Sequence, residues 1–188
     1  MTDLRWIMSS ARVHRRQDIL AMASRLVGAS VRSEFDAVHA PMCEVDVVLI
    51  AGAPWLKEGL ERDFYKDESG YKKIGGGANS PSMTYFFRST PNLIHYLKRQ
   101  SLYVPRGARD LPREGMACFF DWDDRGRFNF TPDRAGIISK VEEGRISEVI
   151  IALPVDAQDK LAGFVVERIS IRSADLFDTA LIGYSDLP

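Results

Sequence analysis

Met116-Ala117-Cys118-Phe119-Phe120-Asp121-Trp122, then Asp123-Asp124-Arg125-Gly126-Arg127, then Arg134-Ala135-Gly136-Ile137-Ile138-Ser139 carries the clearest structural pattern in the chain. An apolar run opens it, a cluster of turn-forming Asp and Gly follows, and a second run rich in β-branched residues closes it. This pattern predicts two strands, 115–122 and 134–142, joined by a polar connection. Downstream, the same reasoning predicts strands over 146–153, 164–171 and 180–184, with Glu142-Glu143-Gly144-Arg145 as a tight turn between two of them.

Upstream the period changes. Ile19, Met22, Ala23, Leu26 and Val27 fall on one face of a helix over 16–28, and Gly28 stops it. Val45, Val47, Val48, Leu49, Ile50 and Ala51 form an apolar run too continuous for periodicity to assign; a short buried helix is favoured by the resemblance given below. Residues 57–80 are charged and end in Gly75-Gly76-Gly77, which reads as a long surface excursion. The triple glycine lacks the Lys-Ser/Thr of a phosphate-binding loop. Thr90-Pro91 reads as a capped helix start, with Leu93, Ile94 and Leu97 as the buried face and Lys98-Arg99 at the C-terminal end. Helices first and a strand meander after give an α+β fold in one domain over 16–188, preceded by an N-terminal extension over 1–15.

Composition excludes several classes of function. The 188 residues are 45% hydrophobic, enough for one real core. The net charge of −1 leaves no electrostatic footprint for nucleic acid. No apolar run is long enough for a membrane span, and Arg5, Arg12, Arg15 and Arg16 interrupt any leader-like core. The expected address is the cytoplasm, or export without a cleaved signal peptide. Cys43 and Cys118 are too few for a disulfide scaffold or a zinc site, although one bridge between them stays open. Asp121, Asp123 and Asp124 ahead of Gly126 suggest a calcium loop, but Arg125 and Arg127 put cations among the would-be ligands and no glutamate closes the site. No metal or cofactor is therefore expected.

The chemistry-bearing residues are few. Cys43 stands at the start of the apolar run, where a helix N-terminus would favour its thiolate; the competing reading is a small core residue. Cys118 reads as packing within a buried strand. His14 and His39 precede Cys43 in an arginine-rich and an irregular segment. His95, on the helix begun by Pro91, is the one histidine downstream of the cysteine, and is either a helix-surface residue or a base.

Taken together, the order of elements resembles the NlpC/P60 superfamily of cysteine amidases, and within it the family DUF1287. Met42-Cys43-Glu44-Val45-Asp46-Val47-Val48 is similar to that family's cysteine followed closely by Asp-Val-Val. Arg88-Ser89-Thr90-Pro91-Asn92-Leu93 is similar to its Arg-x-x-Pro-Asn-Leu helix start. Arg113-Glu114-Gly115 through Ser139 is similar to its Arg-Pro-Gly-Asp strand and its His-x-Gly-Ile-x-Ser strand. The likeness spans residues 17–184. It implies a papain-like fold, with N-terminal helices packed on an antiparallel β-sheet, and hydrolysis of peptide amides, cell-wall peptides being the usual substrate.

The resemblance implies Cys43 as nucleophile with Asp46 close by, and Asp121, Trp122 and Arg134 around the substrate; a base would then have to be His95, the one histidine downstream. Three departures stand beside it. Asp46 lies one residue further from Cys43 than the pattern expects, and Glu114-Gly115-Met116 replaces Pro-Gly-Asp. Arg134 occupies the position of the family's histidine, and Val149-Ile150-Ile151-Ala152-Leu153 supplies no polar third member. Arginine can stabilise a thiolate but cannot protonate a leaving amine, because it stays charged at any working pH. Two functions follow as expectations. One is a cysteine amidase acting on a peptide or peptidoglycan fragment; the other is a catalytically inactive relative that binds a peptide or protein partner. A cysteine-dependent acyl transferase is a third reading.

Overall fold

The computed structural model describes residues 4–31, 46–71, 89–121, 134–155, 164–172 and 176–188. In chain order the elements are α1 (Leu4–Leu26), β1 (Ser30–Val31), α2 (Asp46–Ala51), α3 (Ala53–Lys66), α4 (Thr90–Arg99), β2 (Tyr103–Pro105), β3 (Ala117–Phe120), β4 (Arg134–Glu142), β5 (Arg145–Pro154), β6 (Phe164–Ser170), α5 (Leu176–Ala180) and β7 (Leu181–Ser185). The seven strands form one antiparallel sheet in the order β1-β6-β5-β4-β3-β7-β2. Strands β3 to β6 are the predicted meander. The chain then returns through β7 to the free side of β3.

Alternation along the strands divides the core in two. Ala117 and Phe119 of β3, Ala135 and Ile137 of β4, and Ile150 and Ala152 of β5 join one cluster with Ile19, Ala23, Val47, Val48, Ala51, Leu56, Leu60, Leu93 and Leu97 of the helices. Met116, Cys118, Phe120, Ile138, Val149, Ile151 and Tyr184 join the other, capped by Phe177 and Leu181. The sheet is therefore covered on both faces. Ala117, Ala135 and Ala152 are small on the helical side, which lets the short helix α2 lie directly on β4 and β5 while also touching α1.

Several sequence expectations hold and others need correction. Helix α1 ends at Leu26, and Gly28 at φ +83° turns the chain out of it. The apolar run after Cys43 is the buried helix α2, with Val47 and Val48 fully enclosed. The tight turn at Glu143-Gly144 has positive φ at both residues (49° and 75°), the type I′ geometry that suits a two-residue hairpin. The long excursion over 57–80 is corrected at its start. Residues 53–66 are the helix α3, with a proline in its first turn and Leu56 and Leu60 one turn apart in the core; residues 72–80 lie outside the described residues. The cap of α4 is Ser89, one residue earlier than expected; its hydroxyl accepts from the Asn92 N–H at 3.3 Å. Helix α1 also begins at Leu4, so it runs through the segment read as an extension. β2 and α5 were not anticipated, being three and five residues long.

Gly115 shows how tightly α1 is seated. At φ +81° it sits in the turn two residues before β3, and a Cβ there would collide with the Arg16 carbonyl oxygen of α1. Gly107, at φ +83°, has open space around it. Gly107→Ala is expected to cost about 1 kcal/mol, the left-handed backbone penalty alone. Gly115→Ala is expected to cost about 3 kcal/mol or more, because α1 must shift as well. Chemical denaturation of the two variants measures the difference; equal losses would mean that α1 does not lie against Gly115.

Candidate functional site

The resemblance directs attention to the start of β4, where the family's base would stand. Arg134 opens that strand opposite Phe120 of β3 and is 2% exposed. Asp121, the residue after Phe120, is also buried, and its N–H donates to the Ala180 carbonyl at 2.9 Å, tying the end of β3 to α5. Neither Arg134 nor Asp121 is without a partner. Sequestering a guanidinium from water costs several kcal/mol unless it is engaged by its surroundings, and while Arg134 has a partner, its Nε is buried without a hydrogen bond.

Strand alternation adds a constraint that the sequence did not reveal. Arg134 shares its side of the sheet with Gly136 and Ile138, and its cross-strand neighbour Phe120 belongs to the second cluster. Helix α2 packs on the opposite side, over Ala135 and Ile137. The arginine and the helix that follows Cys43 thus meet the same strand on different faces. Asp46 is the first residue of α2, but its side chain lies outside the described residues, as do Cys43, Trp122 and the Asp123-Asp124 turn. Cys118 is a free, fully buried thiol of the second cluster, and burial pushes its pKa up, as its packing role implies.

His95 sits elsewhere. Its ring meets the Tyr71 ring edge-on at 4.7 Å, and a Cβ on Gly70 would strike its Cε1 at 2.4 Å, so the turn after α3 lies directly on it. Its Nε2 is buried with no hydrogen-bond partner. Around this contact is a clasp between α3 and α4. The Tyr71 hydroxyl donates to Asp63 Oδ2 at 2.6 Å, Arg99 Nε reaches the same oxygen at 3.0 Å, and Arg99 Nη1 reaches Asp67 Oδ2 at 2.8 Å. Burial, then the bond to Asp63, raises the Tyr71 pKa. Helix α4 packs on α3 and β2. The described contacts of His95 are those of a wedge in this clasp; none brings it to the start of β4.

Among the described residues no cluster of His, Cys, Asp and Glu could hold a metal ion, and no helix is long and apolar enough to cross a membrane. Comparison with protein-family models, with curated proteins and with solved structures finds no match to this chain.

The clasp makes a pH prediction. Asp67 is held down from 3.8 to about 2 by its bonds to Ser69 and then to Arg99. A carboxylate depressed by folding contributes stability above its unfolded pKa and loses it as the pH falls through the folded value. Asp67→Asn is therefore expected to be less stable than the native protein at pH 5 and above, with the gap narrowing between about pH 4 and about pH 2. Urea midpoints across that range test it; a gap independent of pH would show that the charge on Asp67 is not involved.

Proposed function

We propose that the chain is an NlpC/P60-type papain-like domain that has lost hydrolysis and binds a peptide or protein segment. Support for the architecture comes from the antiparallel sheet, the N-terminal helices on one face and a short buried helix after the cysteine resting on β4 and β5. The observation that carries the functional half is Arg134. A residue charged at every working pH is buried at the strand position where the resemblance expects the catalytic base, and it lies on the face of β4 away from α2. Removal of general acid–base help costs about 10²–10⁴-fold in rate. The one-residue displacement between Cys43 and Asp46 points the same way.

A cysteine hydrolase with Cys43 as nucleophile and His95 as base is the reading this proposal displaces. Against that reading, His95 packs edge-on against Tyr71 beside the α3–α4 clasp, a setting that a structural ring shares. The pH dependence of Cys43 alkylation, in the native protein and in His95→Ala, separates the two. Cys118 does not interfere, being enclosed on all sides. The proposal predicts the same titration of Cys43 with and without His95. A depressed Cys43 pKa that returns to the ordinary thiol range in His95→Ala would establish a catalytic pair and overturn it.

A further inference from the structure

The second face of the sheet carries a groove that the resemblance does not involve. It runs between the 106–112 loop, the β4–β5 hairpin tip and α5 with β7, and encloses about 420 Å³, within the range of small-ligand sites (roughly 300–1,000 Å³). Its floor is apolar: Ile146, Ile171, Phe177 and Leu181. Leu111 stands at the rim with 60% of its surface in water, one of the most exposed large apolar residues described.

Charge decides what such a groove accepts. Its ionic lining is Arg106, Arg145 and Asp178, two cations against one anion. Arg106 is already committed, facing the Asp178 carboxylate at 3.5 Å and the carbonyls of Asp178 and Thr179. Arg145 is not. Its cross-strand neighbour Glu142 is taken by Lys140 at 2.6 Å, and no described acidic group approaches the Arg145 guanidinium within ion-pair distance. The type I′ turn holds Arg145 at the groove mouth. An adjoining cavity of about 670 Å³ is lined by Glu142, Glu143 and Asp178 together with Arg145, so Arg145 stands between the two and is the cation that reaches the side facing Leu111 and Phe177 besides the committed Arg106.

We propose that this groove seats the C-terminus of a peptide, with an apolar last side chain on Ile146, Ile171 and Phe177 and the terminal carboxylate on Arg145. Capture of a terminal carboxylate beside an apolar pocket is a recurrent way of reading peptide ends, and a guanidinium is the side chain best shaped for it. The site is independent of the start of β4, so it stands whether or not Cys43 is catalytic.

The test is calorimetric titration of the whole protein with an N-acetylated tripeptide ending in leucine, as the free acid and as the C-terminal amide. The acid is expected to bind roughly three- to tenfold more tightly, the range for a partly exposed charge-assisted bond. Salt should erode that preference. Arg145→Gln should abolish it while leaving amide binding unchanged. Leu111→Asp, which adds a carboxylate at an exposed rim position, should weaken the acid more than the amide. Equal binding of acid and amide, a preference that survives Arg145→Gln, or no binding of either probe at millimolar concentration would each overturn the proposal.

Discussion

Ala135, Ile137 and Ile138 have water on neither side of β4, and the other elements are arranged to keep it away. Helices α1 and α2 close one face of the strand, and α5 with β7 helps to close the other. A strand buried from two sides has no polar face to alternate with an apolar one. Its first residue is nonetheless a buried arginine, so the domain holds one of its largest enclosed side chains, and a charged one, at the point where β4 enters the core. That charge must be accommodated by its surroundings, since an unengaged buried guanidinium would cost several kcal/mol.

Two-sided burial also explains which parts of the fold were legible. The spans of β4 to β7 could be placed nearly to the residue because glycine and charge punctuate them, and the 143–144 turn has the composition its backbone requires. Helix α3 was misread because Lys57, Glu58, Glu61, Arg62 and Asp63 dominate its composition. Its buried stripe is narrow, Leu56 and Leu60 with Phe64 behind them. A charged surface helix and a charged loop look alike until the one-turn spacing of that stripe is given weight. Thr90 suggests itself as the cap because it precedes proline, yet Ser89 is the residue with extended backbone, and its hydroxyl satisfies the free amide.

The start of β4 at Arg134 was legible, but not the face that Arg134 takes, because strand parity relative to α2 depends on which side of the sheet the helices choose. That choice is made by Ala117, Ala135 and Ala152, whose small side chains let helices approach, and it leaves Arg134 on the other side. His95 gave no hint of its role because its partners come from a turn more than twenty residues earlier. The groove at Arg145 was invisible for the same reason, since three separate segments build it.

With a buried arginine where the resemblance expects a base, the domain proposed here should bind peptide without cutting it. The most direct measurement is mass spectrometry of cell-wall peptides after prolonged incubation with the native protein and with Cys43→Ser. No new amine termini are expected in either case. New termini that appear with the native protein and vanish with Cys43→Ser would contradict this reading.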